Sequence, residues 1–252
     1  RFRVGAGQIA KLLSEDKAIS KGIDMSETKE RNMPQGNALT PFFIFGSPRS
    51  GTSLLSRMVD SHEQLVVPNE SLIFKMFSSF IDCYGDLSQL ENQSVLLQDI
   101  LATRVIRYWQ PKPDFETVLG LIKRPGFAGV IEALICSTAT DKDLKAWGEK
   151  SPGHVFYWNE IKREFPESKV IHIVRDGRDV ASSIINARMG PKTYYAAAQM
   201  WRDYLAQIET IKQDCAADQF VEVRYESLLA APQDNLQKIC DLLGVTYSES
   251  ML

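Results

Sequence analysis

Gly46, Gly51 and Ser53 stand where the pattern G-x-x-x-x-G-K-[ST] requires them, in the stretch Gly46-Ser47-Pro48-Arg49-Ser50-Gly51-Thr52-Ser53. Thr52 occupies the lysine position, and the cation stands at Arg49 instead. The chemistry of such a loop is anion binding. Backbone N–H groups at a helix N-terminus lack helical partners, and the helix macrodipole adds partial positive charge there. Thr52 and Ser53 add hydroxyl donors, and Ser50 sits between the arginine and the second glycine. The apolar run Pro41-Phe42-Phe43-Ile44-Phe45 before the loop and Leu54-Leu55 after it predict a buried strand, a tight loop and a helix start.

A second cationic group follows another apolar run. Lys169-Val170-Ile171-His172-Ile173-Val174 reads as a central parallel strand, and it ends in Arg175-Asp176-Gly177-Arg178-Asp179. Ligands of such sheets lie at the carboxyl ends of the strands. Asp176 can cap the helix that runs on through Val180 and Ile184, which leaves Arg175 to project into the crevice beside the first loop. Ser183, about two turns into that helix, offers a hydroxyl to the same anion. A surface salt bridge to Asp176 or Asp179 is the plainer reading of Arg175. His172, inside the strand, reads as a core histidine. A third element, Arg224-Tyr225-Glu226-Ser227-Leu228-Leu229, follows the strand Phe220 to Val223 and brings Tyr225 near the same crevice.

The elements that must position these residues alternate. Short strands at Leu65 to Val67, Ala146 to Lys150, Lys169 to Val174 and Phe220 to Val223 join the first strand, and helix signals follow each. That order predicts an α/β fold of three layers, a mostly parallel central sheet flanked by helices, with a P-loop-like phosphate-binding loop after the first strand. An apolar-periodic helix is expected from about Glu70, with Leu72, Ile73, Met76, Phe77, Phe80 and Ile81 as core. Ser94 to Ala139 reads as helical, broken at Pro111, Pro113 and Pro125-Gly126; the aromatics Tyr84, Tyr108, Trp109, Phe127, Tyr157 and Trp158 could line a pocket, and core is the plainer reading of them. Residues 1 to 40 read as a helical arm and linker, with breakers at Pro34 and Gly36, and residues 41 to 252 as the α/β domain.

A chain of 252 residues with 44% hydrophobic content can bury one large core. Its net charge of -3 gives no broad attraction for nucleic acid or an anionic membrane, so any cationic function is local. Cys83, Cys136, Cys215 and Cys240 form no C-x-x-C pair, which predicts reduced, buried thiols and a cytoplasmic setting rather than zinc. No run reaches the eighteen or so apolar residues of a membrane span. A Golgi lumenal setting is the alternative if an anchor precedes Arg1.

With these motifs in place, the sequence resembles the sulfotransferase superfamily, whose donor is 3′-phosphoadenosine 5′-phosphosulfate. Pro48-Arg49-Ser50-Gly51-Thr52-Ser53 resembles the family's 5′-phosphosulfate loop, and Arg175 with Ser183 resembles its 3′-phosphate pair. Arg224-Tyr225-Glu226-Ser227-Leu228-Leu229 is similar to a segment whose tyrosine approaches the adenine. Arginine in the loop, Asp60-Ser61-His62 after the first helix, and an acidic residue after the second strand resemble the tyrosylprotein and bacterial branch. By that resemblance Glu70, in Val67-Pro68-Asn69-Glu70-Ser71, matches the base that removes the acceptor proton, and Lys150 the lysine beside the transferring sulfonate. His154 is a second candidate base, and His62 has a structural role. The family often completes its 3′-phosphate site with a basic C-terminal segment. Here the expectation is either that this segment lies beyond Leu252 or that Arg178 and Arg188 compensate.

The resemblance implies sulfonate transfer to a hydroxyl or amine, with Arg49 and Lys150 meeting the charge that builds on the leaving oxygen without a metal. The acceptor stays open among protein tyrosine, carbohydrate, lipid and small alcohol, and a homodimer is equally open. A kinase on the same loop architecture is the alternative enzyme, set against by the missing loop lysine and by the lack of a clear strand-end aspartate for magnesium. A non-catalytic nucleotide-binding domain would keep both phosphate sites and need neither Glu70 nor Lys150.

Overall fold

In the computed structural model, residues 39–252 are described, so the N-terminal arm expected over the first forty residues lies, up to position 38, outside the described residues. Five strands form the sheet: β1 (Thr40–Phe45), β2 (Leu65–Val66), β3 (Ala146–Glu149), β4 (Lys169–Val174) and β5 (Phe220–Arg224). They are ordered β2-β3-β1-β4-β5, and every neighbouring pair is parallel. The helices are α1 (Thr52–Asp60), α2 (Ile73–Phe77), α3 (Leu90–Ala102), α4 (Arg104–Arg107), α5 (Phe115–Leu121), α6 (Gly126–Cys136), α7 (Trp158–Glu164), α8 (Gly177–Ile185), α9 (Tyr194–Asp214), α10 (Tyr225–Ala230) and α11 (Pro232–Leu243).

The unbroken apolar run of β1 is explained by its place at the middle of the sheet, where both faces are covered. Phe42, Phe43, Ile44 and Phe45 are all fully buried. Side chains alternate across a strand, so Phe43 and Phe45 join a large core with Phe74, Trp147 and Phe165, while Phe42 and Ile44 face a second core with Leu55, Val59 and Leu236. The aromatic side of β1 is built from edge contacts, Phe43 to Phe74 at 6.2 Å and Trp147 to Phe165 at 5.1 Å between ring centroids. Burying each such ring is worth roughly 1.5–3 kcal/mol over leaving it exposed. That packing fixes the carboxyl end of β1, where the loop begins.

α1, α10 and α11 cover one face through Leu55, Val59, Leu228, Leu236, Ile239 and Leu243. α2 through α7 supply most of the other, joined by Ile208 and Ile211 of α9. α8 packs on α9 through Val180, Ala181, Ile184 and Ala197. The expected strands and the three-layer parallel architecture are therefore present, as is the helical stretch between Ser94 and Ala139.

Two expectations need correction. The helix expected from Glu70 begins only at Ile73, because Leu72 takes a left-handed conformation at φ 53°; Glu70 lies in the loop before it. Beyond Phe77 that helix gives way to a 3-10 segment, Ser78–Tyr84, in which Phe80 is exposed. The cysteines are all free, with Cys136 and Cys240 buried, but Cys83 is exposed. No helix among the described residues is long and apolar enough to cross a membrane.

Candidate functional site

β1 ends at Phe45, and the chain then turns tightly: the Ser50 N–H donates to the Ser47 carbonyl at 3.1 Å. Arg49 sits in this turn at φ 73°, a conformation that costs a residue with a side chain about 1 kcal/mol or more. Gly51 is the N-cap of α1 at φ 95°, and its side of the helix end carries no side-chain cap. A Cβ at Gly51 would lie 2.4 Å from the Tyr225 ring, so both the backbone angle and the space require glycine. The first helical bond runs from the Leu55 N–H to the Gly51 carbonyl. The N–H groups of Thr52, Ser53 and Leu54 consequently point out of the helix without helical partners. Beside them the buried Ser50 Oγ makes no hydrogen bond.

The loop after β4 closes against this turn. Asp176 caps α8 by accepting from the Arg178 N–H at 2.9 Å. Arg175 donates from Nη1 to the Arg49 carbonyl at 3.2 Å, and its guanidinium lies over the Tyr225 ring at 4.6 Å. Ser183 accepts from Arg49 Nε at 3.0 Å. The loops after β1, β4 and β5 thus meet in one place, and the two proposed phosphate motifs touch directly. Arg175 does form the expected salt bridge to Asp179, at 3.6 Å, with one arm of its fork. Its Nε is buried without a partner, so one donor of the guanidinium is left unsatisfied. Arg178, by contrast, is turned to Asp176, at 2.6 Å from Nη2, and together with the N–H of Arg178 it holds that carboxyl below the usual carboxylate range. Arg188 is exposed.

The carboxyl end of β3 brings in the second half of the site. Lys150, almost wholly buried, places Nζ 2.8 Å from Glu70 Oε1 and 3.4 Å from Ser53 Oγ. One ammonium therefore spans the phosphate-type loop and the candidate base. Glu70 is partly exposed, and its backbone carbonyl accepts from the Trp109 indole N–H at 3.1 Å.

Beneath this pair lies a group that sequence reasoning did not single out. The buried Glu149 carboxylate accepts from Ser71 Oγ at 2.7 Å, from Ser151 Oγ at 2.5 Å and from His154 Nδ1 at 2.8 Å. Ser151 Oγ in turn accepts from the N–H groups of Ser71 and Leu72, at 3.2 and 3.1 Å. Glu149 and Ser151 flank Lys150, and Ser71 follows Glu70, so the cluster clasps the two chain segments that carry the ion pair. Burial pushes the Glu149 carboxyl up, but the imidazole and the two hydroxyls outweigh it and hold it at about 2. An acid followed by a serine two residues on and a histidine five residues on was the local half of the signal, in Gly148-Glu149-Lys150-Ser151-Pro152-Gly153-His154.

The remaining histidines are structural in their contacts. His154 is fully buried, edge-on to Phe74 at 5.3 Å, and serves Glu149 rather than facing the crevice. His62 accepts at Nδ1 from the Gln64 N–H, at 3.0 Å, and donates from Nε2 to the Thr246 carbonyl at 2.8 Å. His172 pairs Nδ1 with Glu222 at 3.0 Å, and burial pulls its imidazole below the usual value. Of the aromatics noted in the sequence, Trp109, Phe127 and Trp158 are core residues, Tyr84 and Tyr157 pack half-buried against them, and Tyr108, against the core expectation, is exposed.

A family model described as Sulfotransferase family matches residues 41–249. The chain is 22% identical to a protein-tyrosine sulfotransferase of Drosophila melanogaster over 233 residues, 90% of this chain and 42% of that protein. It is 21% identical to the omega-hydroxy-beta-dihydromenaquinone-9 sulfotransferase Stf3 of Mycobacterium bovis over 252 residues, 84% of this chain and 64% of that protein. It therefore spans less than two thirds of the length of either curated relative. Among solved structures, the sulfotransferase domain from the Synechococcus PCC 7002 olefin synthase is similar at a TM-score of 0.60 and 26% identity, covering 89% of this chain and 80% of that one.

Proposed function

The chain belongs to the sulfotransferase family, and we propose that it transfers a sulfonate group from 3′-phosphoadenosine 5′-phosphosulfate to a hydroxyl acceptor by in-line displacement. The observation that carries this reading is the position of Lys150 Nζ, within reach of both Ser53 Oγ in the loop and Glu70 Oε1. A nucleotide-binding domain without chemistry has no need of a buried ammonium held between an anion loop and a carboxylate.

The residues fit a doubly phosphorylated adenosine. The N–H groups of Thr52, Ser53 and Leu54, with the unpartnered Ser50 Oγ, form a cradle for the 5′ end. Arg175 Nε and the Ser183 hydroxyl serve the 3′-phosphate, and Tyr225, braced between Gly51 and Arg175, serves the adenine side. Glu70 takes the proton of the acceptor hydroxyl as its oxygen bonds to sulfur. Lys150 and Arg49 meet the negative charge that collects on the bridging oxygen as the old sulfur–oxygen bond breaks, releasing adenosine 3′,5′-bisphosphate. Trp109 and the Glu149 cluster hold Glu70 and Lys150 in register through their backbones.

The test is transfer of labelled sulfate from the donor to an acceptor panel, with binding of adenosine 3′,5′-bisphosphate measured separately by calorimetry. Wild type is expected to bind the nucleotide and transfer label, and Glu70→Gln to bind without transferring. Equal turnover in the two proteins removes Glu70 as the base; no nucleotide binding removes the donor assignment.

A further inference from the structure

The surface beside the turn that follows Lys150 has a shape and a charge of its own. Immediately past Lys150 the chain enters the 3-10 turn Pro152–Tyr157, and the half-exposed Phe156 ring packs edge-on against Tyr204 of α9 at 4.9 Å. Between that turn and the first half of α9 opens a cavity of about 400 Å³, lined by Phe156, Tyr195, Ala196, Met200 and Tyr204, with Gln199 and Asp203 among them. The size suits a small ligand. Its walls are mainly rings and a thioether, which favour apolar matter.

Charge narrows the occupant further. Among the described residues no cation lines the cavity, and Asp203 is the one charged side chain of its lining. The neighbouring Arg202 is engaged by Asp203 at 3.1 Å and by Gln199 Oε1 at 2.6 Å. At the reacting end stands a second carboxylate, Glu70, close enough that, after burial itself, its field raises the Tyr204 phenol. An acidic peptide would meet two carboxylates whose cations, Lys150 and Arg202, are already paired to them, with no further cation in the lining among the described residues. Resting on the sulfonate-transfer reading above, we propose that this cavity holds the body of the acceptor, and that the acceptor is an uncharged small molecule whose apolar body lies between Phe156 and α9 while its hydroxyl reaches Glu70.

The experiment uses the full chain, labelled donor and two acceptor sets: straight-chain primary alcohols from ethanol to octanol, and a tyrosyl peptide flanked by glutamates and aspartates. The kcat/KM of the alcohols should climb about fourfold for each methylene that enters the cavity, and the acidic peptide should fall at least a hundredfold below octanol. Tyr195→Asp, at an exposed position that folding tolerates, and Met200→Glu should each flatten the climb while leaving affinity for adenosine 3′,5′-bisphosphate within about twofold. A flat series, preference for the peptide, or no transfer to any alcohol by a chain that binds the bisphosphate overturns the acceptor assignment alone. A chain that does not bind the bisphosphate overturns the donor reading, and this assignment with it.

Discussion

Replacing Lys150 by Met is the most discriminating single change, because the structure separates what it should do to turnover from what it should do to stability. The ammonium lies 2.8 Å from Glu70 Oε1, with the lysine side chain 6% exposed and the glutamate 41%. Met fills most of the lysine stem's volume and removes the one buried charge of the pair. What stays behind is a carboxylate already in contact with water, so the folding cost is that of a screened pair, about 1 kcal/mol or less. For a domain of this size that amounts to a fall in Tm of about 2–4 °C. The catalytic cost is different in kind. A preorganised donor at a point where charge develops is worth about 2.7–4 kcal/mol of barrier, a hundredfold to a thousandfold in kcat. Affinity for adenosine 3′,5′-bisphosphate should change less than tenfold, since Ser53, Arg175 and the loop N–H groups remain. Single-turnover transfer of labelled sulfate, calorimetry and a thermal melt read the three quantities. Turnover within fivefold of wild type would refute the assigned role of Lys150, and so would losses of affinity and melting temperature as deep as the loss of turnover, which would mark a structural lysine.

Arg175→Lys should weaken bisphosphate binding by about tenfold or more with a smaller effect on kcat, because an ammonium can neither lie flat over Tyr225 nor replace the rigid fork that reaches the Arg49 carbonyl; equal calorimetric affinity would count against it. Gly51→Ala should lower Tm and abolish bisphosphate binding, from the φ of 95° and the 2.4 Å approach to Tyr225, and adding Tyr225→Ala should recover part of the Tm but none of the binding. Glu149→Gln should destabilise the fold by about 3 kcal/mol, because it breaks a buried, fully bonded carboxylate. Since the folded state depresses this carboxyl to about 2 from an ordinary 4.5, its contribution is complete above about pH 4.5 and fades as pH falls toward 2. The stability gap between wild type and Glu149→Gln, followed by denaturant titration, should narrow over that window, and a gap independent of pH would refute the coupling.

Much of this was legible in the residues. The runs Phe42 to Phe45 and Lys169 to Val174 announced central strands because a strand covered on both faces cannot alternate polar and apolar positions. Arg49, Arg175 and Tyr225 fall at strand ends and Ser183 about two turns into the helix after β4, and the parallel order leaves them one crevice to share. Helical periodicity misled at Glu70, because the left-handed Leu72 breaks a pattern whose apolar spacing continues through it. The Glu149 cluster was only half visible, for another reason. Its bonds join β3 to a segment 78 and 80 residues earlier, and no local pattern encodes that meeting. The aromatic lining failed similarly: Phe156, Tyr195 and Tyr204 converge only because α9 packs across the 3-10 turn after Lys150.

β1 hydrogen-bonds on one side to β3 and on the other to β4, and the contacts that assemble the cradle link positions 126 and 134 apart in the chain. Such separations make loop closure the slow step of assembly. On a ribosome, the turn that carries Gly46 and Gly51 is made before its partners and must wait, unpaired and apolar-flanked, until more than half of the domain has followed it. Nucleotide can therefore assist only the last stage of folding, and any shortened version that ends before β5 will lack the tyrosine that packs against Gly51, so it should neither bind nor be rescued by ligand.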